Sequence, residues 1–502
     1  MKSNFFVDLH CHPSIKAYAR SFQTEAGIQS EDINHVSSIW RRDPPSLFDK
    51  LKQYVAGLTN FIQSDASSLL AGRVCVVCLS FYPQEKGFFI NKAGEGILSD
   101  ALTKLATEFG QERIDYIQYH DSYWEDLKKD MQFLKQMAGK IFRIDGIQAT
   151  YEIASSYAEI EKADRTGQLG ETKIIFVPSI EGGHIFDQVM NAHESWNQFP
   201  EGINPERIAL TLQRVKELRG AKNGLIRPFF LTLAHHFWNG LCGHERSLGG
   251  IVKCVADQEN GLGTGFTPTG KRVVKALLEE QHDEFGNSIP PVIIDIKHMS
   301  RKSREEYFQL LKIEFPTRNI PLIASHAGVT GLTKPGGIHA TLIAQEGLFN
   351  EDPINFYDDE ILEIESSKGV IGIQLDERRI GSKHALRKAR GHINHRDILF
   401  AWSKLVWYQV QHIAEVLDAQ NRFAWAVQSL GTDFDGIIDP INGFWTAKEI
   451  DDLDDYLLKH AFNYLRSANP LTQDRNKNIQ PEDVVERIMK GNALNFISMI
   501  AC

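Results

Sequence analysis

Disulfide scaffolds are excluded first, because six cysteines scattered through 502 residues cannot staple a chain of this size. Cys11, Cys75, Cys78, Cys242, Cys254 and Cys502 therefore read as reduced thiols. Long apolar runs are also missing: no stretch approaches the roughly 20 residues that a membrane span needs. The residues before Cys502 lack the apolar tail of a lipid-anchor signal. Phe5-Phe6-Val7, after Met1-Lys2-Ser3-Asn4, is far too short for the core of a signal peptide, so the expected location is the cytoplasm. Positive charge is in deficit as well, with 55 Lys and Arg against 65 Asp and Glu, a formal net charge of -10. Such a surface repels phosphate backbones and anionic headgroups, so neither nucleic acid nor a membrane surface is expected as a partner. A small-molecule substrate is expected instead, and a homo-oligomer stays open.

Neither an internal repeat nor a low-complexity tract interrupts the chain, and 42% hydrophobic with 24% charged residues is the balance of a globular protein. Eight short apolar runs end in polar residues: Phe5–Leu9, Val74–Phe81, Lys173–Ile180, Phe229–Ala234, Pro291–Lys297, Pro321–Ser325, Gly369–Leu375 and Ala424–Leu430. Near-continuous runs are what parallel strands covered on both faces require, and helical spacing falls between many of them. Ser99–Phe109 and Tyr123–Met137 show that spacing, Lys448–Leu465 reads as a peripheral helix, and Pro481-Glu482-Asp483 as the start of a final one. The expected class is α/β, a (β/α)8 TIM barrel with long loop insertions. One barrel domain over 1–502 is the expected organisation, with an insertion around 82–172 and a long loop around 327–368, where Gly336-Gly337 and Glu351-Asp352 look irregular.

Metal-capable residues gather at the carboxyl ends of these runs, where barrel enzymes place their sites. The first run leads into His10-Cys11-His12; alternate residues of an extended chain share a side, so both imidazoles can reach one ion. The third run ends in Glu181-Gly182-Gly183-His184, a carboxylate able to bridge two cations, followed by glycines that permit close backbone approach. His235 and His236 follow the fourth run, His298 the fifth and His326 the sixth, and Asp433 follows the eighth. A lone histidine at a strand end is more often a hydrogen-bonded core residue, and a lone loop glutamate is more often salt-bridged. Their recurrence on successive strand ends favours a shared centre. Imidazole and carboxylate ligands suit divalent ions, zinc above all; such ions acidify water and polarise a carbonyl, while Asp433 can accept a proton and return it to a leaving nitrogen.

Other signals have plainer readings. Cys75-Val76-Val77-Cys78 has metal-pair spacing, but within a strand the two thiols point to opposite faces. Arg387-Lys388-Ala389-Arg390 reads as a solvated face, and Gly261-Leu262-Gly263-Thr264-Gly265 lacks the lysine-serine ending of a phosphate loop. Arg378-Arg379 follow the seventh run, with a surface ion pair to Asp376 or Glu377 as the expected role.

The motifs taken in order resemble the membrane (renal) dipeptidases of peptidase family M19, in the amidohydrolase superfamily. The resemblance covers most of the chain and rests on Ser179-Ile180-Glu181-Gly182-Gly183-His184, Leu231-Thr232-Leu233-Ala234-His235 and the run from Gly265 to Val274. Ile294-Asp295-Ile296-Lys297-His298, Ser325-His326, Asp433-Phe434-Asp435-Gly436 and Gly491-Asn492-Ala493-Leu494 complete it. It implies a barrel of the metallo-dependent hydrolase type, a dipeptidase-like hydrolase with two zinc ions bridged by Glu181. It also implies that His298 and His326 hold the second ion, that His10 helps hold the first, that His235 contacts substrate or the developing oxyanion, and that Asp433 shuttles the proton. Two departures stand out. The family's first motif reads His-x-Asp where this chain has His12, and its arginine for the substrate carboxylate, a short way past the sixth-strand histidine, is absent from Leu332-Thr333-Lys334-Pro335-Gly336-Gly337-Ile338. Arg378, Arg379 or Lys334 are then the candidate substrate cations, and without one of them ordinary dipeptides are expected to be poor substrates. The alternatives are an amidohydrolase acting on another small substrate, a lactone or an N-acyl amino acid, or a catalytically silent metal-binding barrel.

Overall fold

The branched and aromatic residues of the eight runs form parallel strands in the computed structural model, which describes residues 5–50, 59, 61–89, 109–161, 171–187, 205–249, 256–468 and 470–501. The strands are β1 (Phe6–Cys11), β2 (Val74–Phe81), β3 (Glu171–Glu181), β4 (Phe230–Thr232), β5 (Ile293–Asp295), β6 (Ile323–Ala327), β7 (Val370–Ile373) and β8 (Gln428–Leu430). They pair side by side in that order. Registers such as Phe6 with Val74, Ser179 with Phe230, Leu231 with Ile294 and Gly372 with Ser429 hold neighbours in step. The circle closes at the carboxyl rim, where Asp433 N donates to His10 O at 2.8 Å and His12 N to Phe434 O at 3.0 Å. Asp8, fully buried, reinforces the seam by accepting from Thr432 Oγ1 at 2.6 Å and Thr432 N at 2.9 Å.

Strand bounds are tighter than the apolar runs. Pro290-Pro291 cannot donate to a ladder, so β5 begins only at Ile293. At β8, Ala424 N donates to Asn476 Oδ1 rather than to a neighbouring strand, and the strand begins only at Gln428. Within the expected insertion, Phe142–Ile144 and Ile147–Ile153 form a hairpin whose second arm pairs with the first half of β3, and Tyr123–Lys135 is helical, capped by Ser122. The Ser99–Phe109 pattern, Cys254 and Cys502 fall outside the described residues, save Phe109. Cys75 and Cys78 are free thiols of β2, half-buried and buried respectively.

Helices pack around the barrel for legible reasons. In the run from Gly265 to Val274, Thr267 caps the helix Pro268–Leu278, accepting from Gly270 N at 2.9 Å. A Cβ on Gly270 would stand 1.9 Å from the Leu241 carbonyl oxygen, so this motif serves close packing. Asn492 similarly ties the terminal helix to β8 through the carbonyls of Trp425 and Gln428. The segment from Lys448 is helical over Ile450–Arg466. Among the described residues no helix is long and apolar enough to cross a membrane.

Candidate metal centre

Glu181 is the last residue of β3, and its side chain enters the barrel mouth because the chain turns away at once: Gly182 adopts φ 106°. A Cβ there would collide with the His184 ring at 2.2 Å. Five imidazole Nε2 atoms converge on this one carboxylate: His12 at 3.1 Å, His235, His298 and His326 at 3.4 Å, and His10 at 3.5 Å. Asp433 faces them, with Oδ1 3.8 Å from His10 and 3.7 Å from His12. His298 and Asp433 both hold left-handed backbone, φ 64° and 62°, uncommon for residues with a side chain and here shared by two groups of one site.

Neighbours fix how each imidazole presents itself. The Ser80 carbonyl accepts from His12 Nδ1 at 3.0 Å, leaving Nε2 bare toward the centre. The Ser325 hydroxyl donates to Asp295 Oδ2 at 2.6 Å and lies 3.1 Å from His10 Nδ1 and 2.9 Å from His326 Nδ1. Asp295 is itself held by Thr232 Oγ1 at 2.7 Å, so β4, β5 and β6 share one supporting network beneath the ligands. Glu85, four residues past β2, accepts from His235 Nδ1 at 2.6 Å and from Tyr82 OH at 3.0 Å.

Burial sets the electrostatics. It pulls the His235 imidazole down, but Glu181 and Glu85 outweigh it and carry the group up to about 9. For His12 burial is likewise overcome, by the facing Asp433 and Glu181 carboxylates, and the group rises to about 10. Burial would raise the Glu181 carboxyl, yet the His235 and His10 charges hold it well below its ordinary range. Asp433 is raised, chiefly by burial. His298 and His326 are driven well below theirs by burial and by cationic neighbours.

Nε2 of His10, Nε2 of His12 and Oε1 of Glu181 are buried without a hydrogen-bond partner among the described residues. Buried polar atoms are almost always paired, so orphans facing one another mark a place shaped for a cation. His10, His12 and Asp433 bring their ligand atoms within 4.8 Å of one another, as do Glu181, His298 and His326. Imidazole and carboxylate donors of this kind fit divalent transition ions.

The site residues expected from sequence thus divide. His10, His12, Glu181, His235, His298, His326 and Asp433 lie together. A cavity of about 40 Å³ beside Asp433 and His298 is lined also by His236, Lys297, Gln374, Arg378 and Arg379. Arg378 makes the expected ion pair with Asp376, whose two oxygens both grip it, Nη2 to Oδ2 at 2.7 Å, and its half-buried side chain also borders the cavity. Arg379 donates to the Ser247 carbonyl and lies 3.9 Å from Asp352. Lys334 is exposed and is not among the residues lining this cavity. Sequence reasoning passed over Glu85 and Gln374: Glu85 lies beyond its strand end, and Gln374, directly after β7, donates to Asp433 Oδ2 at 2.6 Å. Asp435, in the Asp433 motif, is structural, accepting from Ser64 Oγ at 2.7 Å and pairing with Lys16 at 3.2 Å.

Fold and site together define a parallel α/β barrel with a buried, histidine-rich, metal-capable centre at its carboxyl rim. No family model matches the chain, and no curated protein does. Among solved structures it is similar to the dipeptidase AC, a metallopeptidase of family M19, at 11% identity over 99% of each chain with a TM-score of 0.48. It is similar to a metallopeptidase from Rhodobacter sphaeroides, liganded with a phosphinate mimic of L-Ala-D-Ala, at 12% identity over 99% of each chain and TM-score 0.48. The probable dipeptidase PvdM from Pseudomonas aeruginosa matches at 14% identity over 88% of this chain and 89% of that one, TM-score 0.47.

Proposed function

We propose that the chain is a metal-dependent hydrolase that cleaves a peptide or related amide bond of a small substrate, most simply a dipeptide, at a centre holding two divalent ions, zinc by ligand type. The observation that carries this reading is the convergence of five imidazoles on Glu181 with Asp433 opposite. His10, His12 and Glu181 would hold one ion, and Glu181, His298 and His326 the other. Divalent ions bound there would acidify water and polarise a carbonyl. Asp433 has the position of the proton shuttle: Gln374 holds Oδ2, which leaves Oδ1 to accept a proton from water and return it to the departing nitrogen. His235, whose Nδ1 is held by Glu85, would offer Nε2 to negative charge developing on the carbonyl oxygen.

A second reading, hydrolysis of a non-dipeptide substrate such as a lactone or an N-acyl amino acid at the same centre, draws support from the engagement of Arg378 with Asp376 and the exposure of Lys334, which withdraws two of the expected substrate cations. The deciding experiment is a screen of zinc-loaded protein against dipeptides, N-acyl amino acids and lactones. Asp433→Asn should slow turnover of the best substrate by about 10² to 10⁴ with metal content unchanged. Turnover of lactones alone favours the second reading, and a fully loaded protein silent on all three classes leaves only a metal-binding barrel.

A further inference from the structure

Lys297 follows β5, between the core residue Ile296 and His298, and is 1% exposed, with no hydrogen-bond partner for its side-chain nitrogen among the described residues. Gln374, directly after β7, is also buried and has one half of its amide engaged. Its Nε2 donates to Asp433 Oδ2 at 2.6 Å, while its Oε1 is buried without a partner among the described residues. Both residues line, with Asp433, the cavity of about 40 Å³. A space of that size has room for about one water molecule, so a leftover donor and a leftover acceptor share it, joined directly or through a single water.

The other charged groups around that space are committed. Asp376 is held through both oxygens by Arg378, and Arg379 donates to the Ser247 carbonyl. Asp295 accepts from Thr232, from the Ser325 hydroxyl and from the Lys297 backbone N. Asp433 Oδ1 lies beside His10 and His12, at 3.8 and 3.7 Å, on the side of the proposed ions. That leaves Gln374 Oε1 for Lys297.

The two ends of an amide are alike in shape, so its neighbours decide which way it sits. An ammonium only donates, whereas an amide both donates and accepts. We propose that Lys297 is a positioning residue for the proton shuttle: it bonds Gln374 Oε1 and thereby fixes the amide with its NH2 group toward Asp433. The pinned Oδ2 then leaves Oδ1 facing the reaction. Without Lys297 the amide is free to turn over and set its oxygen against the carboxylate, and Asp433 loses its hold. This rests on the hydrolase reading above and names what orders the shuttle of that site.

The test is a double-mutant cycle on zinc-loaded protein with the best substrate, comparing the parent, Lys297→Met, Gln374→Met and the double variant, methionine keeping the approximate shape of either side chain. Lys297→Met should lower kcat by about 10-fold or more with KM nearly unchanged. The double variant should be no slower than Gln374→Met alone, since Lys297 acts only through the amide. Lys297→Arg, which keeps donors, should recover part of kcat. Elemental analysis of each variant separates this from loss of the ions. An unchanged kcat in Lys297→Met at full metal content, or losses that multiply in the double variant, overturns the proposal. Should the parent hydrolyse nothing, the hydrolase reading fails, and the melting temperatures of the same four proteins decide the pairing by themselves. A double variant shifted by less than the sum of the single ones supports it, and shifts that add overturn it.

Discussion

Glu181 has two oxygens and five imidazole neighbours, and the asymmetry among them is informative. Oε2 lies 3.1 Å from His12, while Oε1 lies 3.4 to 3.5 Å from His10, His235, His298 and His326. In the proposed two-ion centre Glu181 would serve both halves, whereas His10, His12, His298 and His326 would each serve one. Glu181→Gln keeps the shape and removes the charge, so it should lower the occupancy of both ions together, from about two per chain to well under one. Elemental analysis after gentle purification measures this. Loss of one ion with the other retained would show that Glu181 does not bridge. Glu85 completes the picture at this scale: it is a buried charge whose meaning depends on His235 across the loop from it, not on its own stretch of chain.

At the scale of elements, the helix Ile450–Arg466 docks on His395–Ala419 through a buried histidine, His460, whose Nε2 lies 2.9 Å from the Ser403 hydroxyl. Burial, with help from Lys404, drives this imidazole down to about 3, against 6.5 for an ordinary histidine. A folded-state value below the unfolded one means that the contribution to stability is complete above pH 6.5 and is lost as pH falls toward 3, at roughly 1.4 kcal/mol per pH unit. Between pH 7.5 and 5 the parent should therefore lose more urea resistance than His460→Gln, even if the variant starts lower. Identical acid losses in the two proteins would sink the idea. Elements of this kind were readable in advance to different degrees. All eight strands announced themselves as apolar runs because parallel strands buried on both faces need apolar residues at nearly every position, as in Val74–Phe81. Their ends did not, since Ala424, at the head of the eighth run, bonds to Asn476, some fifty positions away in sequence, and β5 begins only past two prolines. The candidate ligands were legible for the same reason as the strands, each sitting directly at a strand's carboxyl end. Glu85 was not, because it meets His235 only when the segment after β2 folds over the end of β4.

Across the whole molecule, the candidate ligands come from the rim of β1, β3, β5 and β6, with Asp433 following β8, so ions held there would cross-link strands far apart in sequence. Because ions bind the folded rim and not the unfolded chain, they stabilise by an amount that grows with concentration over Kd, about 2.7 kcal/mol at a hundredfold excess and about 4.1 at a thousandfold. Removing them leaves His10 Nε2, His12 Nε2 and Glu181 Oε1 buried without partners. Chelation should therefore lower the melting temperature by about 5 °C or more, and restored zinc should bring it back. The same comparison on Glu181→Gln should show a much smaller metal-dependent shift, while Asp433→Asn, outside the proposed bridge, should keep most of it. Calorimetric scans at matched protein concentration, with bound metal counted in each sample, provide the measurement. A parent that holds its ions yet melts at the same temperature after chelation would mean that the barrel closes through its own seam, Asp8 with Thr432 and His10 with Asp433, and that the ions serve chemistry alone.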